Sequence, residues 1–210
     1  MGPTAVLSAL LFFLFGYLSG SLPFSIWITR LVKGVDIRDS GSGHATTTNT
    51  IRQAGLGPGA LVFILDFAKG FIPIWLAWHY GSIVQNHYAP SFWITPITAA
   101  CVVIGHCWPV FAQFRGGMGL ACAGGGLLAV SPLAFLISVA ILIVLVLLTR
   151  HPARASVLTG VVIAPALWLF GLHGVEFWIA AAVGIVIACR FLIDWNRRYH
   201  ELWLDRKNTQ

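Results

Sequence analysis

The chain has very few charged side chains. Only 10% of its 210 residues are Asp, Glu, Lys or Arg, whereas 58% are hydrophobic and the mean hydropathy is +0.83. A soluble domain of this length cannot bury so large an apolar fraction, so the composition excludes a soluble protein and predicts an integral membrane protein. The formal charge of +6 is explained by basic residues that hold cytoplasmic loops inside, and we expect no nucleic acid partner.

The sequence also lacks paired cysteines and a secretory leader. Its four cysteines show no Cys-x-x-Cys spacing and lie in or beside apolar runs, which favours buried core residues over disulfides or zinc ligands. We therefore expect no metal site. The first residues, Met-Gly-Pro-Thr, carry no basic side chain, and the apolar run that follows is too long for a signal peptide, so no cleaved leader is expected.

What the sequence contains instead is a series of apolar segments, each long enough or nearly so to cross a hydrocarbon core of ~30 Å. They cover approximately residues 5–31, 57–78, 92–104, 119–130, 133–148, 157–172 and 175–193. The third and fourth are short, so their ends must borrow from the flanking loops or be re-entrant. Glycines 124–126 would let helices approach closely. We predict an all-α, polytopic membrane protein, one domain over residues 1–210 with about seven transmembrane helices.

Lys and Arg are distributed unevenly between the connections. The first, third and fifth connections and the C-terminal tail contain them, and the second, fourth and sixth contain none. Since cytoplasmic loops retain basic residues, we predict an outside N-terminus and a cytoplasmic C-terminus in the cell membrane. Segments 32–56, 105–118, 149–156 and the tail 194–210 then share the cytoplasmic face. The tail reads as an amphipathic surface helix on anionic lipid.

The most polar stretch, Ser40–Arg52, lies on this predicted face. It contains two glycines, six hydroxyl side chains, one Asn and one Arg. Glycine amides, hydroxyls and an arginine are the donors with which loops bind phosphate. A solvated connection between two helices is the alternative that composition alone leaves open.

Two charges lie inside the second apolar segment. Asp66 and Lys69 cost ~2.5–3.5 kcal/mol each on insertion scales, and at i and i+3 they share a helix face and can pair. The pair either fixes helix packing or lines a polar cavity that opens to the cytoplasm, and the second interpretation is favoured because intramembrane charges usually face a bundle interior.

The third connection contains a glycine-rich turn. His106 follows the third apolar segment, and Arg115, Gly116, Gly117 and Gly119 precede the fourth. A turn of this kind at a helix N-terminus, with a cation beside it, is a candidate anion site. Glycines also occur there simply because a helix must begin in a crowded place.

Taken together, these stretches resemble the bacterial membrane glycerol-3-phosphate acyltransferases that use acyl-phosphate. The resemblance rests on Gly41–Arg52, on Leu65–Gly70, on Gly105–Gly119 and on Asn196 with Asp205 in the tail. It implies transfer of an acyl group to glycerol-3-phosphate, giving lysophosphatidic acid for phospholipid synthesis, without a cofactor. Acyl-phosphate, glycerol-3-phosphate and membrane lipid are the implied partners, and enzymes that make acyl-phosphate are candidate ones.

The resemblance also assigns roles to side chains. The expected catalytic residues are Ser42, Arg52, His106 and Arg115, and the expected substrate-binding residues are Thr48, Asn49, Lys69, Gly116, Gly117, Ser156 and Asn196. Arginine and lysine would hold phosphate charge, and the glycerol hydroxyl would be activated by His106 or by the leaving phosphate. Positioning and charge neutralisation can supply much of the rate because acyl-phosphate has a good leaving group.

This chain departs from the family pattern at several positions, which are His44, Thr46, Thr47, Arg115, Met118, Ala153 and Ile193. The departures motivate an alternative, a catalytically altered or inactive member that binds lipid phosphates or partners in lipid synthesis. A small transporter built around Asp66 and Lys69 is disfavoured because the chain has no inverted repeat. The His-x4-Asp pattern of another acyltransferase class, His200 with Asp205, is a two-residue match only.

Overall fold

The computed structural model describes residues 3–80 and 93–196. Within these ranges the secondary structure is helical and contains no strand. The α-helices are α1 Pro3–Gly20, α2 Phe24–Lys33, α3 Thr47–Ala54, α4 Leu56–Tyr80, α5 Ile94–Cys107, α6 Leu120–Val130, α7 Pro132–Thr149, α8 Pro152–Leu169 and α9 Val175–Leu192. The predicted all-α architecture is confirmed. Most of the predicted tail helix and the His-x4-Asp pair lie outside the described residues.

Six stretches of the described chain are long and apolar enough to cross a membrane. They are Val6–Lys33, Leu56–Tyr80, Ile94–Ala112, Pro132–Thr149, Pro152–Leu169 and Val175–Leu192. The fourth predicted segment forms α6, an apolar helix of only 11 residues, as its short sequence suggested. The predicted multi-pass architecture is therefore confirmed, with six full-length candidate spans and one shorter apolar helix in the described residues.

The first predicted segment is not one helix, which corrects the sequence interpretation. It breaks at residues 21–23, between α1 and α2. Pro23 has no amide hydrogen and disfavours helical geometry at the residue before it, so an apolar run can continue while the helix does not. α2 is amphipathic: Ser25 and Thr29 are buried, and Trp27 and Leu31 are exposed.

Glycines allow the helices to pack backbone to backbone. At the α8–α9 contact, a Cβ on Gly160 or on Gly184 would collide with the carbonyl oxygen of the other glycine. At the α4–α6 contact, a Cβ on Gly125 would meet the carbonyl oxygen of Phe67. The expected role of the glycines in the fourth segment is thus confirmed at Gly125. α7 is peripheral, because Ala134 is its one buried residue in the described part of the chain.

The polar connections meet at one end of the bundle. The amide of Ala45, in the first connection, donates to the carbonyl oxygen of Gly116 in the third at 3.3 Å. Near the fifth connection, Nε of Arg154 donates to the carbonyl oxygen of Trp195 at 3.4 Å. The convergence expected from the Lys and Arg distribution is therefore present. Assignment of this end to the cytoplasm stays a prediction.

Candidate functional site

A cavity of about 370 Å³ lies at the end of the bundle where the polar connections meet. Its wall combines a hydroxyl-rich side from the first connection and α3 with an apolar side from α4, α6, α8 and α9. The lining residues are Ser42, His44, Thr46, Thr47, Thr48, Asn49, Arg52, Phe63, Asp66, His106, Met118, Gly119, Leu120, Ala121, Pro152, Ala153, Ser156 and Phe191. A site of this mixed character suits a ligand with a charged end and an apolar end.

Asn49 organises the loop that forms the polar wall. The two hydrogens of its Nδ2 are shared among the carbonyl oxygens of Ile37, Ser40 and His44, which lie at 3.1, 3.0 and 3.1 Å. Its Oδ1 accepts from the amide of Ser42 at 3.3 Å. Because the amide group is fully engaged within the protein and almost completely buried, the contacts of Asn49 in this structure are structural.

Thr46 begins the helix that carries the arginine. Its side-chain oxygen accepts from the amide of Asn49 at 3.2 Å, the contact of an N-cap residue. One and a half turns later, Arg52 lines the cavity. Its Nε is buried and has no hydrogen-bond partner among the residues that the structure describes. A buried guanidinium nitrogen without a partner is costly, and the positively charged side chain that carries it forms part of the cavity wall.

The buried pair in α4 combines the two interpretations that the sequence left open. Nζ of Lys69 lies 2.8 Å from Oδ1 of Asp66 and donates to the carbonyl oxygen of Leu22 at 2.7 Å. Asp66 lines the cavity, whereas Lys69 faces a small adjoining recess. The pair therefore fixes packing at the α1–α2 break and also contributes a carboxylate to the cavity wall.

His106 stands in the last turn of α5, beside Asp66. Its Nδ1 lies 3.8 Å from Oδ1 of Asp66, which is too long for a hydrogen bond, and it finds no partner within residues 3–80 and 93–196. The ring is buried yet borders the cavity. It is therefore held close to a carboxylate, with one ring nitrogen available for a proton.

Gly116 and Gly117 let the third connection fold tightly around His106. The amide of Gly117 donates to the carbonyl oxygen of His106 at 3.0 Å. A Cβ on Gly117 would meet Nε2 of His106, and one on Gly116 would meet its carbonyl oxygen. These glycines do not line the cavity in the described structure; they shape the wall behind His106.

Besides Lys69, Gly116 and Gly117, two further predicted site residues, Arg115 and Asn196, are absent from the described cavity wall. The Arg115 side chain is 56% exposed, and its Nη2 lies 3.3 Å from Oδ1 of Asp39. Asn196, after α9, is exposed. Of the other predicted residues, Ser42, Thr48 and Ser156 line the cavity, together with Asn49, Arg52 and His106. The hydroxyl of Ser156 donates to the carbonyl oxygen of Pro152 at 2.9 Å.

Three polar residues near the cavity were missed by the sequence reasoning about the site. They are His44, which was noted only as a departure from the family pattern, and Arg190 and Asp194, which were given no role in the site. In the structure, Nε2 of His44 lies 2.8 Å from Oδ2 of Asp194, and its Nδ1 lies 3.2 Å from Nη2 of Arg190. No sequence motif links residues so far apart, although an arginine inside the last apolar segment was a usable signal.

An ion cluster fastens the loops outside the cavity. Asp36 accepts from Arg38 at 2.9 and 2.7 Å and from Nη2 of Arg30 at 2.5 Å. The hydrogen bond from the Arg38 side chain holds the pKa of the Asp36 carboxyl well below its ordinary value. Nη1 of Arg38 also donates to the carbonyl oxygen of Ala112 at 2.8 Å, which joins the first and third connections.

The donors around the cavity fit a phosphate better than a metal ion. Among the residues that the structure describes, no three His, Cys, Asp or Glu side chains are grouped so that they could hold a metal. Arginine and hydroxyl groups are instead the usual partners of phosphate oxygens.

Comparison with known proteins agrees with this chemistry. The profile of the family described as glycerol-3-phosphate acyltransferase matches residues 10–201. A glycerol-3-phosphate acyltransferase of Aquifex aeolicus is 36% identical over 191 residues, covering 91% of this chain and 95% of that protein. One of Laribacter hongkongensis is 38% identical over 172 residues, covering 82% and 81%.

Solved structures are similar over almost the whole chain. The crystal structure of PlsY, an integral membrane glycerol 3-phosphate acyltransferase, in its glycerol 3-phosphate form has a TM-score of 0.75 at 36% identity, covering 90% of this chain and 91% of that one. Its lysophosphatidic acid form has a TM-score of 0.69 at 34% identity, covering 95% and 91%. This chain therefore belongs to the glycerol-3-phosphate acyltransferase family.

Proposed function

We propose that the chain transfers an acyl group from acyl-phosphate to the 1-hydroxyl of glycerol-3-phosphate. The hydroxyl oxygen attacks the acyl carbonyl carbon, the bond from that carbon to the phosphate oxygen breaks, and lysophosphatidic acid and inorganic phosphate leave. The solved relatives have glycerol 3-phosphate and lysophosphatidic acid forms, which supports the acceptor and the product. The acyl-phosphate donor follows from the motif resemblance.

The proposal rests on one observation, the environment of the Arg52 side chain. Its Nε is buried and has no partner among the described residues, and the side chain as a whole lines the cavity. In this proposal the guanidinium holds a substrate phosphate, with Ser42 and Thr48 as neutral donors from the same wall. Charge-assisted, planar contacts of this kind bind phosphate strongly and in one orientation.

His106 is the proposed proton acceptor for the glycerol hydroxyl. Its Nδ1 has no described partner, and the carboxylate of Asp66 at 3.8 Å would stabilise the imidazolium that forms. The phosphate leaving group can take the same proton, so loss of His106 would slow the reaction without abolishing it if both routes operate. Ser156 would accept or donate to substrate from the α8 side of the cavity.

The remaining predicted residues have supporting roles in this proposal. Asn49, Gly116 and Gly117 shape the polar loops, and Lys69 fixes α4 against the α1–α2 break. Arg115 would reach a substrate phosphate only after leaving Asp39, and Asn196 would act from the rim. The apolar wall, which includes Phe63, Met118 and Phe191, suits the acyl end.

The site is proposed to open to the cytoplasm. The Lys and Arg distribution puts the cavity end of the bundle on that side. Glycerol-3-phosphate would then enter from the cytoplasm, and the acyl donor would arrive from the lipid or from the enzymes that make it. Labelling of single cysteines introduced at residues 35 and 172 in intact cells tests this orientation. Preferential reaction of residue 35 from outside would reverse it.

The deciding assay uses purified protein in lipid nanodiscs with palmitoyl-phosphate and labelled glycerol-3-phosphate. We expect labelled lysophosphatidic acid, and we expect Arg52→Ala to lower kcat/KM by roughly 100-fold or more, the usual cost of removing one charge-stabilising donor. Arg150→Ala, an exposed arginine outside the cavity wall, is the matched control. No product from wild-type protein beside an active relative would instead favour the inactive, lipid-phosphate-binding member.

A further inference from the structure

His44 bridges two buried groups of opposite charge at the end of α9. Its Nε2 lies 2.8 Å from Oδ2 of Asp194 and its Nδ1 lies 3.2 Å from Nη2 of Arg190. Arg190 and Asp194 are both buried, at 8% and 4% exposure. His44 itself comes from the first connection, 146 positions before Arg190.

The two neighbours determine the proton on the ring. A guanidinium only donates hydrogen bonds, so Nδ1 of His44 must accept from Arg190 and carries no hydrogen. Nε2 then carries the hydrogen and donates it to the carboxylate of Asp194. Both ring nitrogens are thus engaged, and the arrangement suits a ring that holds position rather than one that takes a substrate proton.

The same cluster ties together three segments of the cavity wall. Nε of Arg190 donates to the carbonyl oxygen of Gly117 in the third connection at 3.2 Å. The backbone of His44 continues the chain of contacts, since its amide donates to Oγ of Ser42 at 3.4 Å. Its carbonyl oxygen accepts from Nδ2 of Asn49 at 3.1 Å. The end of α9 therefore anchors the loop that carries the polar cavity wall.

We propose that His44 is a positioning residue for the acceptor phosphate. By joining the first connection to Asp194 and Arg190, it holds Ser42 and the start of α3 against the cavity, and thereby sets how well Arg52 meets the phosphate of glycerol-3-phosphate. The inference rests on the proposed acyl transfer. Because His44 does not act on the reacting atoms, its loss weakens substrate binding more than it slows the chemical step.

Three substitutions separate the two contacts of the ring. His44→Asn keeps an acceptor near the position of Nδ1 and so retains the link to Arg190, whereas His44→Gln keeps a donor near the position of Nε2 and retains the link to Asp194. His44→Ala removes both. His173→Ala, an exposed histidine in the connection at the opposite end of the bundle, is the matched control.

The expected result is a split between KM and kcat. We expect His44→Ala to raise KM for glycerol-3-phosphate about tenfold or more, the scale of one lost charge-assisted hydrogen bond, with kcat changed by less than about threefold. His44→Asn and His44→Gln should fall between wild type and His44→Ala. A KM that stays at the wild-type value in all three variants, or a loss confined to kcat, would overturn the proposal.

A second measurement needs no catalysis, so it tests the anchoring by His44 independently of the proposed acyl transfer. Hydrogen–deuterium exchange is followed in lipid nanodiscs over residues 40–52 and, as an internal reference, over residues 162–169 in α8. Faster exchange at 40–52 in His44→Ala, with α8 unchanged, supports the anchoring even if wild-type protein makes no lysophosphatidic acid. Unchanged exchange at 40–52 rejects it, whatever the activity.

Discussion

Lys69 donates a hydrogen bond from Nζ to the carbonyl oxygen of Leu22 at 2.7 Å, across the break between α1 and α2. The same ammonium lies 2.8 Å from Oδ1 of Asp66, and both side chains are buried. Lys69→Met should therefore leave a buried carboxylate without its counter-charge and an α1–α2 carbonyl without its donor. We expect the free energy of unfolding to fall by about 3–5 kcal/mol, measured by thermal unfolding in detergent.

The double variant Asp66→Asn with Lys69→Met distinguishes charge from packing. Since it removes both charges, it should recover part of the stability that Lys69→Met alone loses. A double variant no more stable than Lys69→Met would show that the contact with Leu22, rather than the ion pair, accounts for the loss.

Asn49 should behave as a structural residue. Asn49→Ala removes the two amide hydrogens that three carbonyl oxygens now share, and a buried carbonyl left unpaired, such as that of Ile37, costs about 1–3 kcal/mol. Asn49→Asp should be no better, because a carboxylate offers no donor to those carbonyls. The exposed neighbour Thr48 is the contrast: Thr48→Ala should lower activity and leave the melting temperature within about 1 °C, a surface effect. Normal stability of Asn49→Ala would contradict this role.

Gly117→Ala should damage the site through shape alone. The new Cβ would meet Nε2 of His106 and the carbonyl oxygen of Ala45, and overpacking of this kind costs about 1–3 kcal/mol. Gly57→Ala is the matched control, because a Cβ there would meet no described atom within 4 Å and should stabilise α4 by up to about 1 kcal/mol. Equal melting temperatures for the two variants would argue against the tight fit around His106.

Arg115 should matter less than Arg52. In the structure its guanidinium is exposed and pairs with Asp39 outside the cavity, an arrangement that contributes about 0–1 kcal/mol. We expect Arg115→Ala to reduce kcat/KM by less than about tenfold, a change below that from losing a buried phosphate donor. A loss equal to that of Arg52→Ala would mean that Arg115 moves into the cavity when substrate binds.

Acid should weaken the loop cluster around Asp36. The pKa of this carboxyl is lowered from its ordinary value of 3.8, chiefly by the hydrogen bond from Arg38. Its contribution to stability is therefore complete above that ordinary value and is lost as pH falls through the lower pKa of the folded state. Asp36→Asn should unfold at a lower temperature than wild type at pH 7, and the difference should shrink on acidification toward pH ~3. A gap at pH ~3 as large as the gap at pH 7 would assign it to another cause.

The sequence predicted the membrane class and the helical segments because long apolar runs have few other solutions. The glycines of the fourth apolar segment predicted a close helix contact. The Lys and Arg distribution predicted that the polar connections lie at one end of the bundle. The break before α2 was missed although Pro23 marked it, because hydropathy does not register a missing amide hydrogen. Apolar length and helix continuity are separate properties, and only the first follows from hydropathy.

The site was harder to predict because its partners are far apart in the chain. Arg52 and His106 were identified from motif resemblance, and both line the cavity. The pairing of Asp39 with Arg115, and that of Asp194 with His44, depends on tertiary contacts with no sequence period. The residue types alone therefore could not show that the side chain of Asn49 hydrogen-bonds to backbone carbonyl oxygens. Nor could they show that Nε of Arg52 has no hydrogen-bond partner among the described residues.

The cavity wall extends from Ser42 in the first connection to Phe191 in α9, and this span has a consequence for biosynthesis. A ribosome releases the hydroxyl-rich loop long before it releases α9, so during most of translation the loop has neither Asp194 nor Arg190 to hold it. The earlier helices can enter the bilayer in turn, but the pocket is completed only when the last one joins them. Partly synthesised chains therefore have inserted helices before they have a finished pocket.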